Sequence, residues 1–133
     1  MSAASLFDAS GLNGIASIAG RVLMGGFFAL AGLDHFPALE RIGKGVAARG
    51  IPMPRTAIVL ASIVQIVAGG LLVAGILPRL SAAALIGFTI VAGFVLLDFW
   101  NREGEERKSA IGHWQMNLAL IGGLLAIAGD PPS

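Results

Sequence analysis

The chain contains no cysteine, which removes disulfides, thiolate catalysis, iron–sulfur ligation and zinc–thiolate sites. Any redox chemistry it joins must be borrowed from another molecule. Charge is scarce too: 13% of the 133 residues are Asp, Glu, Lys or Arg, against about 25% in soluble domains. Histidine occurs only at His35 and His113, both near the ends of apolar runs, so a buried bis-histidine haem is not expected. Asp34, Asp98 and His113 fall on three different segments with no ligand spacing, which gives no metal signature. The glycines lie inside apolar runs and are not followed by Lys-Ser/Thr, so no phosphate-cradling loop is present. Nor is there a set of nucleophile, base and orienting residue, and the chain is not expected to be an enzyme alone. A net charge of +1, with the basic residues in loops and no stripe, gives no footprint for nucleic acid. The N-terminal stretch MSAASLFDASGLNG lacks the basic start and short apolar core of a secretory signal, so the first apolar run is expected to stay as a helix.

What the chain has is apolar length. It is 56% hydrophobic, with a mean hydropathy of +0.82. A bilayer core of about 30 Å takes roughly 20 helical residues, and four runs suffice: about 15–36, 56–77, 80–100 and 111–129. A soluble bundle would need a polar stripe on each helix, whereas Thr56 to Pro78 carries no charge on any face. The fold class is therefore all-α, an integral membrane four-helix bundle forming a single four-span domain over 1–133.

Basic residues set the expected topology, because short loops rich in Lys and Arg stay cytoplasmic. Arg41, Lys44, Arg49 and Arg55 lie in the first loop, and Arg102, Arg107 and Lys108 in the third. Only Arg21 and Arg79 fall towards the other side. Loops 37–55 and 101–110 should face the cytoplasm, with both termini outside, in a bacterial-type inner membrane. In the first loop Leu39, Ile42 and Val46 share a helical face opposite Arg41 and Lys44, which predicts a helix in the interface drawn to anionic lipid. Gly43, Gly45 and Gly50 favour an irregular loop instead.

This topology puts Asp34, His35, Asp98, Trp100, His113 and Trp114 at one membrane level. The two tryptophans read as headgroup anchors. Two acids at C-terminal helix ends oppose the helix dipole unless paired; Arg41, Arg55, Arg102 and the histidines are candidate partners. LDHF (Leu33–Phe36) echoes LDFW (Leu97–Trp100), and GGLLVAG (Gly69–Gly75) matches GGLLAIAG (Gly122–Gly129). Either small-residue, Leu-rich helices resemble one another by chance, or helices one and two are a diverged copy of helices three and four. The second reading makes a parallel repeat of two helical hairpins about an axis along the membrane normal. It would place Asp34, Asp98, His35 and His113 around one cytoplasmic mouth. Gly25, Gly32, Gly69, Gly70, Gly87, Gly93, Gly122 and Gly123 are expected to let helices approach closely.

Three polar side chains lie deeper. Arg21 stands about fifteen residues before Phe36, roughly 22 Å along the helix, and either snorkels to the outer headgroups or faces the interior. Gln65 is near the middle of the second span and Asn117 is in the fourth. They either fix packing through interhelical hydrogen bonds or line a functional path.

Taken in order, RVLMGGFFALAGLDHF, GIPMP, QIVAGGLLVAGILPRL, LLDFWN and NLALIGGLL resemble the DoxX family over Arg21 to about Gly129. The family comprises small four-helix membrane proteins, some of them subunits of thiosulfate:quinone or quinol oxidoreductases or scaffolds joining redox enzymes. The chain departs from the family where members often carry Lys, Glu and Lys: it has His35, Gln65 and Met116. Those departures weaken any carried-over ion pair for proton handling, and Arg21, Gln65 and Asn117 remain the best positional matches. The resemblance implies a non-catalytic or quinone-adjacent subunit of a membrane oxidoreductase assembly. No cofactor is held by this chain itself, but a quinone is a possible ligand, with Arg21, Gln65, Asn117, Asp34, Asp98, His35 and His113 as candidate contacts. Partners would be the lipid bilayer, other membrane or peripheral redox proteins, and a second copy. A small transporter or channel lined by Arg21, Gln65 and Asn117 is the alternative, although four short helices leave little room for a water-filled path. A purely structural anchor is the third reading.

Overall fold

A computed structural model describes residues 12–129. It has five helices: α1 (Leu12–Asp34), α2 (Leu39–Ala48), α3 (Pro54–Ala74), α4 (Pro78–Leu96) and α5 (Gly104–Gly129), with a 3-10 turn at Phe99–Asn101. Four of them, all but α2, are long and apolar enough to cross a membrane. Large apolar side chains cover the outside of the bundle, with Leu23 74%, Leu80 67% and Val91 63% exposed. Such a surface is a liability in water and a solvated face in lipid.

The helices pair as two hairpins. α1 packs along α3, α4 packs along α5, the α3–α4 contact joins the pairs, and a sparser α1–α5 contact closes the ring. On α3 the buried residues Ile58, Ser62, Gln65, Gly69 and Leu72 recur at intervals of four and three, which keeps them on one helical face. Gly69 meets the backbone of α1 at Gly25 and Ala29, and Gly32 lies against the Ser62 carbonyl oxygen. The core is Phe28, Ala68, Leu72, Ala82, Leu85 and Leu124. Not every glycine packs. A Cβ at Gly70, Gly87 or Gly122 would meet nothing within 4 Å, so these three do not supply the close approach expected of them, whereas Gly25, Gly32, Gly69, Gly93 and Gly123 do have neighbours. The matched glycines of the two hairpins thus differ: Gly69 lies at a helix crossing and Gly122 on an open face.

Element ends shift from the sequence expectation for local reasons. Pro54 and Pro78 start α3 and α4 two residues early, because the fixed φ of proline suits the first helical turn. α4 stops at Leu96, and Leu97–Trp100 continue the apolar run without continuing the helix. α5 begins at Gly104 and not near Ile111, with Glu105 and Glu106 in its first turn, where the helix dipole favours acids. The first loop contains the amphipathic helix α2, not an irregular segment: Gly43 and Val46 are buried, and Arg41 and Lys44 are exposed.

At the end of the bundle away from α2, both hairpins place an arginine at a helix C-terminus. The guanidinium of Arg21 lies against Gly75, the left-handed residue closing α3, and Arg79 Nε donates to the Ala128 carbonyl of α5 at 2.9 Å. A cation there complements the dipole.

Candidate functional site

α2 folds back over the ends of α3 and α4 and covers one side of an apolar cavity of about 150 Å³ that stays open past the exposed Val91. Ile42 and Val46 of α2 roof it, Ile58 and Ala61 of α3 and Phe88 and Val95 of α4 wall it, and His35 is the one polar side chain of its lining. His35 sits in the turn between α1 and α2. Its Nδ1 is 2.9 Å from Ser62 Oγ, and that hydroxyl donates to the Ile58 carbonyl at 2.7 Å. A carbonyl can only accept, so in this contact the hydroxyl proton of Ser62 points to Ile58. With the proton there, Ser62 Oγ presents lone pairs to Nδ1, an arrangement that suits the Nδ1–H tautomer with the lone pair of the neutral ring on Nε2. Burial holds the His35 pKa below its usual 6.5, with neighbouring Asp34 acting in the opposite direction.

The roof is tied down beside the cavity. Arg49, which follows α2, reaches Asp98 Oδ2 at 3.5 Å and the Phe94 carbonyl at 3.5 Å. Asp98 also accepts from Arg102 Nε at 3.1 Å and from Asn101 at 3.4 Å, while Arg102 donates to the Leu96 carbonyl at 2.7 Å. Trp114 Nε1 donates to the Leu97 carbonyl at 2.6 Å, and its ring lies on Gly93. The non-helical end of α4 therefore has side-chain partners from three directions for the carbonyls that the helix leaves open.

The DoxX family model matches residues 16–98, more than half of the chain. The chain belongs to the DoxX family. The match runs from α1 to Asp98 and so takes in α2, the cavity walls, His35, Ser62 and Gln65; all of α5 adds to the DoxX bundle from beyond the matched stretch. This DoxX chain is a multi-pass membrane protein by its four apolar helices and its family. No curated protein and no solved structure matches it.

In this DoxX protein the seven residues singled out in the sequence occupy separate places. Of Asp34, Asp98, His35 and His113, only His35 lines the cavity. Asp98 is engaged with Arg49 and Arg102, Asp34 is exposed, and His113 is exposed with Nδ1 on the Ser109 carbonyl of its own helix at 2.8 Å. They do not form one mouth. Arg21, Gln65 and Asn117 do not converge either: Arg21 lies at Gly75, Gln65 is 3% exposed on the α3 face towards α1, and Asn117 is half-buried on α5. Fully buried Leu72 separates the levels of Gln65 and Gly75 on α3. Among the described residues Gln65 Oε1 and Arg21 Nε are buried without a hydrogen-bond partner, and no group of three His, Asp or Glu is placed to hold a metal ion.

Two participants were missed. Ser62, which sets the state of His35, is a small hydroxyl in an apolar helix, and its spacing of three from Gln65 on a buried face was the available signal. Arg49 was read as a topology charge, and its pairing with Asp98 depends on how α2 folds back.

Proposed function

We propose that this DoxX protein is a non-catalytic, quinone-adjacent membrane subunit of an oxidoreductase assembly, with the cavity beneath α2 as the seat of the headgroup. The observation that carries this reading is an apolar cavity of about 150 Å³ with a single imidazole in its wall. Cavities of about 150 Å³ lined by aliphatic and Phe side chains take up a benzene ring, so a one-ring headgroup fits the space. Ile42, Val46, Phe88 and Val95 would clasp the ring, and His35 would hold its polar edge. A bound quinone–quinol headgroup would supply a two-electron carrier; His35 would orient it through its quinol hydroxyl, and α2 would cover one side of it. Seven basic residues at the α2 end, against Arg21 and Arg79 at the other, support placing that end in the cytoplasm of an inner membrane. There the exposed Arg41 and Lys44 would also meet a peripheral redox partner.

The test is binding of a short-tailed benzoquinone to the detergent-purified protein, followed by thermal shift. Ala61→Phe, which fills the cavity, should abolish the shift while the protein stays helical. An unchanged shift in that variant would remove the cavity from the reading.

A further inference from the structure

We infer that Ser62 fixes His35 as a hydrogen-bond acceptor towards the cavity, so that the site selects ligands combining an apolar body with a hydroxyl, and takes a quinol in preference to the quinone. The inference rests on the cavity being the ligand site proposed above, and goes further by naming the state of the ligand.

Ser62 is fully buried, so no bulk water supplies it with another partner. Its one proton goes to the Ile58 carbonyl at 2.7 Å, which leaves only lone pairs facing His35 Nδ1 at 2.9 Å. The opposite tautomer would require the hydroxyl to leave Ile58 and turn to Nδ1. The neutral imidazole is therefore Nδ1–H, and among the described residues Nε2 makes no hydrogen bond. The rest of the lining is aliphatic or phenylalanine, and the backbone amides of α3 and α4 beside it are used within their helices. A quinone carbonyl entering this cavity would find no donor, which costs free energy in an apolar site. A quinol hydroxyl would find the Nε2 lone pair. Ser62 is thus a positioning residue acting through His35.

The test uses the full-length protein in nanodiscs with ring-¹⁵N histidine at pH 8, and His113→Gln to assign His35. We expect Nδ1 protonated and Nε2 unprotonated, with a mixture of tautomers in Ser62→Ala. Four probes are then titrated: a short-tailed hydroquinone, its quinone, its dimethyl ether and dodecanol. The hydroquinone should bind about three- to tenfold more tightly than the quinone or the ether, the range of one net hydrogen bond, and Ser62→Ala should reduce that preference to within about twofold. An Nε2–H tautomer in the wild type, equal affinities for hydroquinone and ether, or a preference that persists in Ser62→Ala would each overturn the inference. If dodecanol binds and no ring compound does, the quinone reading falls and selection of a hydroxyl stands. If no probe binds, both fall.

Discussion

Gly25 and Gly69 bring the backbones of α1 and α3 into direct contact: a Cβ on Gly69 would stand 2.6 Å from the Gly25 carbonyl oxygen and 2.8 Å from the Ala29 amide nitrogen. Both obstacles are backbone atoms, so neither can yield by a rotamer change. Gly69→Ala should therefore push the helices apart and lower stability by about 1–3 kcal/mol, as overpacking does. Gly122→Ala, which meets nothing within 4 Å, should be neutral or raise stability by up to about 1 kcal/mol through helix propensity. Thermal denaturation of the two variants in one detergent separates them, and equal losses would contradict this account of the crossing.

The Arg49–Asp98 contact ties the roof of the cavity to the end of α4. At 3.5 Å, with the Arg49 side chain 33% exposed, its coupling energy should not exceed about 1 kcal/mol. A double-mutant cycle with Arg49→Gln and Asp98→Asn measures it. The larger effect should be local, with a spin label at Lys44 becoming more mobile in Asp98→Asn while overall helicity is unchanged.

His35 should titrate below 6.5, because burial disfavours its charged form. Asp34→Asn removes the opposing influence of the neighbouring carboxylate and should lower the midpoint further. The folded protein then binds fewer protons at this site than the unfolded chain. Its stabilising contribution is complete above the unfolded value near 6.5 and is lost as pH falls from there through the folded midpoint. Ring ¹⁵N shifts followed against pH give the midpoint, and a value above 6.5 would contradict the burial.

The native chain has no cysteine, so single cysteines report topology against a clean background. A cysteine at Ser109 should be protected from an impermeant thiol reagent in intact cells. One at Ser133, which lies outside the described residues, should react, and the inverse pattern would reverse the orientation argued from Lys and Arg.

The four spans were legible because apolarity on every side of a segment leaves little but lipid to face. The helix α2 was legible as well, since Leu39, Ile42 and Val46 keep helical spacing despite three nearby glycines. The cavity was not. Sequence position fixes how deep a residue lies along its helix but not the direction it faces, so Asp34, His35, Asp98 and His113 share a level and still turn to different neighbours. The end of α4 misled for another reason: Leu97, Phe99 and Trp100 are as apolar as the helix they follow, and only the side-chain bonds from Arg102 and Trp114 reveal that the backbone has left it. Ser62 escaped notice because a hydroxyl bonded to its own helix costs little and leaves no gap in an apolar pattern.

α2 also gives the molecule two unequal ends. Its ten residues form a rod about 15 Å long and 10 Å across, displacing roughly 150 Å² of headgroup area from one leaflet. At the opposite end α3 and α4 are joined by residues 75–77 alone, which displace almost none. Among the described residues, the α2 level is thus the broader of the two. A helix held at the headgroup level of one leaflet makes the fit of the bundle depend on how tightly the lipids of that leaflet pack.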